Sequence, residues 1–259
     1  MEKRIQSIDR AVNILNCFTE ENPSLTLAQI SQQLSLNINT TRGLVNTLIA
    51  NGLISHNKQN NTYTLGLYFI LKSNLIYATY NINGYIEVAL PYMQAISERY
   101  SVLTSIQIVN QGNIFMVRTN QPSRAQFRIS AELYSPLNYH CTSSGKQFLQ
   151  YLPEDVFQDV VAQMSFTGMT ENSITNKEAL IEELKVQKTR IYSTEYDEQA
   201  IGISSISAPI LFAKNKLFGT ISVTAPTQIV RKHERNMAKD LLEAGRMIAG
   251  AIQILPEYL

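Results

Sequence analysis

The sequence predicts an α+β protein in two parts, an N-terminal winged helix-turn-helix and a larger C-terminal α+β domain joined to it by a linker helix. Three observations carry this. Three short helical patterns followed by a two-strand signal fill the first 66 residues. Beyond residue 100, strand and helix patterns mix without strict βαβ alternation, which favours a mainly antiparallel sheet. The chain has 259 residues, 44% of them hydrophobic, enough for two cores. The boundaries read 1–66 for the winged helix-turn-helix, 67–83 for the linker helix and 84–259 for the second domain.

From Ser7 onward, Ile8, Ala11, Val12, Leu15 and Phe18 recur at spacings of three and four, a stripe on an amphipathic helix that Asn22-Pro23-Ser24 ends. Thr26 followed by Gln29 has the form of a capping box opening a short helix over Leu27 to Leu34. After a turn at Ser35-Leu36-Asn37, a third helix over about Asn39 to Asn51 buries Leu44, Val45 and Leu48. Thr40, Thr41, Arg42 and Asn46 face outward, and Gly52 supplies a left-handed stop. Leu53 to His56 and Thr62 to Leu65 read as strands around the polar turn Asn57 to Asn61, a wing.

Leu67 to about Tyr80 reads as a connecting helix. Ile86 to Tyr100 reads as another, with Pro91 kinking or delaying it. Strands are expected at Val102 to Val109 and Ile114 to Thr119 around Asn110-Gln111-Gly112-Asn113, and near Ile203 to Phe212 and Leu217 to Val223 around Lys214-Asn215. Helices are expected at Ser144 to Leu152, Pro153 to Met164, Lys177 to Arg190 and Ile229 to Ile254.

Composition excludes several classes. Two cysteines, Cys17 and Cys141, provide neither a disulfide framework nor a clustered metal site. The charged N-terminus lacks the apolar core of a signal peptide, and no stretch approaches ~18 uninterrupted apolar residues. The expectation is a cytoplasmic protein with no membrane partner, no cofactor and no metal. A net charge of +1 does not itself point to nucleic acid, and residues 1–72 hold six Lys/Arg against four Asp/Glu.

A DNA-binding reading therefore rests on local pattern. In a helix-turn-helix the second helix enters the major groove, and polar side chains near its N-terminus reach base edges and phosphates. The candidate DNA-binding residues are Thr26, Asn37, Asn39, Thr40, Thr41, Arg42, Asn46 and Lys58. Asn pairs with adenine and Arg with guanine at two points each, while threonine suits phosphates or the thymine methyl. His56 in the wing reads as a solvated loop residue.

These residues resemble a known family. Ser7-Ile8-Asp9-Arg10-Ala11 with Leu15, Leu25 through Ser31, Leu36 through Arg42, Leu48, Gly52-Leu53-Ile54 and Tyr63-Thr64-Leu65-Gly66 are similar to the DNA-binding domain of IclR-type regulators. His140 to Lys146 resembles that family's H-x-T/S-x-x-G-K segment. Glu198, Gly202, Ala208-Pro209 and Ser222-Val223 fall where its E-x-x-x-G, A-x-P and S-V elements stand. The resemblance implies a GAF-like effector-binding domain and self-association as a homodimer or dimer of dimers. It further implies a transcriptional regulator that binds double-stranded operator DNA and is switched by a small organic effector.

Ser143-Ser144-Gly145-Lys146 enters a helix, whose N–H groups and dipole attract an anion. The resemblance places the candidate effector-binding residues Ser143, Ser144, Glu195, Ser205, Ser222 and Thr224 around a pocket suited to a small organic acid or sugar-derived metabolite. Arg118, Arg124 and Arg128 are available to clamp a carboxylate. Two alternatives compete: a hydrolase of small acids using the Ser143-x-x-Lys146 pair, and a protein-interaction module that does not bind DNA. The first lacks downstream S-D-N and K-T-G motifs. His140-Cys141 forms no catalytic pair if the segment is extended, because neighbours there point to opposite faces.

Overall fold

The computed structural model describes residues 5–19, 21–79, 81–110, 113–123, 128–129, 133, 137–212 and 216–252. Arg124, Gln111-Gly112, Lys214-Asn215 and the expected end of the last helix at Ile254 lie outside the described residues. The chain divides into two compact units, Met1–Tyr80 and Asn81–Leu259.

The first unit comprises α1 (Gln6–Asn16), α2 (Leu27–Gln33), α3 (Ile38–Ala50), β1 (Ile54–Asn57), β2 (Thr62–Leu65) and α4 (Tyr68–Thr79). Its core joins Ile14, Phe18, Leu25, Ile30, Val45 and Leu48 to Ile54 and Tyr63 of the hairpin. The expected stripe on α1 is rotated. Ile14 is buried, with Ala11 and Leu15 packed beside it, whereas Ile8 is 58% and Val12 47% exposed. Spacing alone does not choose between adjacent stripes on an apolar-rich helix.

The capping box forms: Thr26 Oγ1 accepts from the Gln29 N–H at 3.3 Å, and Gln29 Oε1 accepts from the Thr26 N–H at 2.8 Å. Asn37 caps α3 by accepting from the Asn39 N–H at 2.9 Å. Gly52 (φ +72°) ends the helix, with Leu53 N–H donating to the Leu48 carbonyl, the bond of a glycine-terminated turn. β1 and β2 pair antiparallel from Ile54↔Leu65 to Asn57↔Thr62, and Asn61 takes φ +54° in the turn.

The second unit comprises α5 (Ile82–Tyr100), β3 (Leu103–Asn110), β4 (Asn113–Asn120), α6 (Ser143–Leu149), α7 (Glu154–Gln163) and α8 (Lys177–Lys188). It ends with β5 (Ser193–Ala200), β6 (Ile203–Phe212), β7 (Lys216–Pro226) and α9 (Thr227–Ile252). The five strands form an antiparallel sheet in the order β4-β3-β7-β6-β5. Pro91 sits inside α5 without ending it. β5 was not expected, because its sequence, Ser-Thr-Glu-Tyr-Asp-Glu-Gln-Ala, has no apolar alternation to announce a strand.

The sheet has two chemically distinct faces. Ile206, Ala208 and Ile210 of β6, with Ile221, Val223 and Ala225 of β7, are buried on the side packed by α9. The alternate positions, Ser205 and Ser207 on β6 and Thr220, Ser222 and Thr224 on β7, turn to the α6 side. A second cluster, with Ile114, Phe148, Leu149, Val161, Leu180 and Leu184, ties α6, α7 and α8 together.

Candidate functional sites

In the first unit, α3 presents Asn39, Thr40, Arg42 and Asn46 exposed to solvent, with Arg42 Nη1 donating to Asn39 Oδ1 at 3.4 Å. Lys58 is exposed in the hairpin turn, and Thr26 is half-buried at the start of α2. Thr41 corrects the expectation. It is fully buried and donates its hydroxyl to the Asn37 carbonyl at 3.1 Å, because a helix turns 100° per residue and carries it to the same side as Val45 and Leu48. Asn37 is exposed, but its side-chain oxygen is engaged as the α3 cap.

In the second unit, a cavity of about 700 Å³ opens between the sheet and α6. Ser143 and Ser144 of α6 and Ser205, Ser222 and Thr224 of the sheet line it together. Further polar residues not anticipated from the sequence also line it, among them Ser105 and Gln107 of β3, which extend the floor. Their signal was present in the alternation Leu103, Ser105, Gln107 against Thr104, Ile106, Ile108, which puts two polar side chains on one face of a strand. Met116, Ile129, Leu137, Met169 and Ile203 supply apolar walls.

Gln107 orders the floor. Its Oε1 accepts from Thr220 Oγ1 at 2.5 Å and Ser222 Oγ at 3.1 Å, and its Nε2 donates to Ser105 Oγ at 2.9 Å. Ser222 Oγ also lies 2.8 Å from Ser144 Oγ and 2.9 Å from Ser207 Oγ. Ser143 Oγ meets Ser205 Oγ at 2.8 Å. Such a floor offers hydroxyl donors and acceptors whose positions are fixed by one another, which suits recognition of a small polar solute.

Arg128 is the charged residue among the described residues lining the cavity, whereas Arg118 is exposed on β4 away from it. Glu195 is a second correction. It is buried, but behind the wall: its carboxyl hydrogen-bonds Ser205 and accepts from the Glu198 N–H at 3.1 Å. Burial pushes it up to about 7, against the opposing effect of those hydrogen bonds. The entry to α6 is capped by Thr142, whose hydroxyl accepts from the Gly145 N–H at 3.1 Å and donates to the Asn138 carbonyl at 2.8 Å.

Lys146 and Ser143 do not assemble as a nucleophile and its base. Lys146 is fully buried, donating to Glu198 Oε1 at 2.5 Å and to the Thr194 carbonyl at 3.4 Å, whereas Ser143 turns to Ser205. His140 and Cys141 lie in a turn rather than an extended segment, and both are buried. His140 Nε2 donates to the Thr167 carbonyl at 3.1 Å, and burial drives the Cys141 thiol up to about 11, away from thiolate chemistry. Among the described residues no group of three or more His, Cys, Asp or Glu is placed to hold a metal, and no helix is long and apolar enough to cross a membrane.

The comparisons agree with both halves. Residues 7–58 match the IclR helix-turn-helix domain, and residues 80–250 match the C-terminal domain of the bacterial transcriptional regulator IclR. The chain is 23% identical over 253 residues to the HTH-type transcriptional regulator XynR of Escherichia coli K12, covering 96% of this chain and 97% of that one. It is 22% identical over 224 residues to the transcriptional repressor IclR of the same organism, covering 86% and 81%. A crystal structure of an IclR-type regulator from Silicibacter superposes with a TM-score of 0.80 at 20% identity, covering 97% and 98%. An IclR homologue from Microbacterium hydrocarbonoxydans, solved with 4-hydroxybenzoate, superposes with a TM-score of 0.76 at 18% identity, covering 96% and 100%. These matches are to regulators rather than enzymes. With a helix-turn-helix domain over residues 7–58 and an IclR C-terminal domain over residues 80–250, the chain belongs to the IclR family of DNA-binding transcriptional regulators.

Proposed function

We propose that this regulator controls a catabolic operon in the bacterial cytoplasm, sensing a small organic acid or sugar-derived metabolite in the cavity beneath α6. The observation that carries the reading is the cavity itself: a mutually ordered floor of serine and threonine hydroxyls, apolar walls and one arginine. Hydroxyls and a single guanidinium complement a small molecule with several oxygens and one carboxylate. The effector set is Ser143, Ser144, Ser205, Ser222 and Thr224, with Arg128 at the rim and Glu195 acting from behind. One match is the acetate operon repressor of Salmonella typhimurium, and the Microbacterium homologue was crystallised with an aromatic acid. The second accords with an acid effector.

On the DNA side, Asn39, Thr40, Arg42 and Asn46 read base edges while Thr26 and Lys58 hold phosphates. The protein works as a homodimer or dimer of dimers, which doubles the few cations of one winged helix. Exposed apolar side chains on the first unit, Ile8 on α1 and Leu71 (67%) and Leu75 (59%) on α4, support self-association. Effector control requires the ligand to prefer one arrangement of the assembly, since equal affinity for both shifts nothing.

The test is a fluorescence-anisotropy titration on an operator selected from random duplexes. Arg42→Ala is expected to weaken the selected duplex by ~1–3 kcal/mol and to flatten sequence preference at one position. Adding acids that raise the melting temperature of the protein is expected to shift operator affinity roughly fivefold or more. An acid that saturates the protein and leaves DNA affinity unchanged refutes the effector reading.

A further inference from the structure

A carboxyl stands one hydroxyl behind the cavity wall. Glu195 on β5 is 2% exposed, sits opposite Ser205 in the β5–β6 ladder and hydrogen-bonds its side chain. Ser205 Oγ is 2.8 Å from Ser143 Oγ, and either oxygen of that pair is able to donate. Both serines line the cavity and Glu195 does not. The three groups form a file running from buried carboxyl through two hydroxyls to the ligand space.

Each hydroxyl has one proton, so the file has a direction. With Glu195 ionised, Ser205 donates to the carboxylate, Ser143 donates to Ser205, and Ser143 presents only lone pairs to the cavity. With Glu195 protonated, its O–H donates to Ser205, Ser205 donates to Ser143, and the Ser143 proton points into the cavity. A carboxylate ligand accepts hydrogen bonds and donates none, so it is matched by the second arrangement and repelled by the first.

We propose that Glu195 is a positioning residue for an anionic ligand: it takes up one proton from solvent as the ligand's carboxylate binds, and the Ser205–Ser143 file presents that change as a donor aimed at the ligand. The proposal rests on the small-acid reading above.

The groups facing Glu195 are compatible with this. On its own strand Glu198 supplies an N–H and a like charge, while Lys146 from α6 is opposite in sign and is itself held by Glu198 at 2.5 Å. Glu183 from α8 lies 3.8 Å from Lys146 Nζ, and Cys141, at about 11, stays neutral near physiological pH. β6 contributes the Ser205 hydroxyl. Burial sets Glu195 at about 7, so the proton exchanges close to neutrality, where an ordinary carboxylic acid ligand remains fully ionised.

The test is isothermal titration calorimetry of the full chain with sodium 4-hydroxybenzoate, D-gluconate and glycolate, at about pH 6 and pH 8, in two buffers of different ionisation heat. For a probe that binds, the wild type is expected to take up close to one proton at the higher pH and to bind about tenfold more weakly there than at the lower. Glu195→Gln, whose amide donates at any pH, is expected to bind equally at both and to take up no proton. Ser205→Ala, which interrupts the file, is expected to lose the pH dependence and to bind more weakly at the lower pH. Binding by the wild type without proton uptake, or a pH dependence that survives in Glu195→Gln, overturns the proposal and leaves the small-acid reading intact. Failure of every probe to bind at the lower pH overturns the small-acid reading and the proposal with it.

Discussion

Replacing Lys146 by Met keeps most of the buried stem and removes the charge that Glu198 faces. Glu198 is 8% exposed, and its Oε2 has no hydrogen-bond partner. Without Lys146 the carboxylate would keep only a backbone hydrogen bond from Tyr196, beside the like charge of Glu183 in a low-dielectric interior, and the least costly relief is to take a proton. Holding neutral at pH 7 a carboxyl whose ordinary value is 4.5 costs at most about 3.4 kcal/mol, at ~1.36 kcal/mol per pH unit. Burial already raises Glu198 in the intact protein, so part of that cost is present beforehand and the expected loss is about 2–3 kcal/mol. In the variant the folded-state value lies above the unfolded one, so stability falls as pH rises above the unfolded value and the deficit shrinks toward about pH 5. Urea unfolding of the second unit's transition at about pH 7 and pH 5 measures it, and adding Glu198→Gln should recover most of the loss. A loss below ~1 kcal/mol at the higher pH, or one equally large at the lower pH, would refute the reasoning.

Two further outcomes follow from the first unit. Thr41→Val keeps the buried shape but removes the bond to the Asn37 carbonyl, so urea unfolding should show about 1 kcal/mol lost while operator preference in a base-substitution series stays unchanged. Thr26→Ala removes the hydroxyl half of the capping box, and thermal unfolding should report ~1 kcal/mol of destabilisation, with weaker binding to all duplexes alike if Thr26 also touches a phosphate.

The sequence disclosed local physics better than the site. The capping box at Thr26 and Gln29, the stop at Gly52 and the wing are each specified by residues a few positions apart, so they were legible. Thr41 was misplaced because its neighbours Thr40 and Arg42 are polar and exposed, and only the helical turn separates it from them. β5 is hidden in the sequence because the residues it turns toward α6, Ser193 and Glu195, are polar although buried, and the partner of Ser193, Gln147, lies 46 residues away in the chain. Gln107 and Thr220 are 113 residues apart, and only pairing of β3 with β7 brings them together. The cavity's residue types carried a signal through the family resemblance. Its depth order, with Glu195 behind Ser205 rather than beside it, is a property of sheet register.

The two-faced sheet also settles how its strands must align. Over Ser205 to Ala208 of β6 and Thr220 to Ala225 of β7, hydroxyl and hydrocarbon alternate one for one. Sliding either strand by a single residue would press Ser205, Ser207, Ser222 and Thr224 against α9 and turn Ile206, Val223 and Ala225 into a wet cavity. Every slip by an odd number of residues therefore strands polar groups and wastes apolar ones at once, so the side chains poised for a ligand also proofread the assembly of the sheet that holds them.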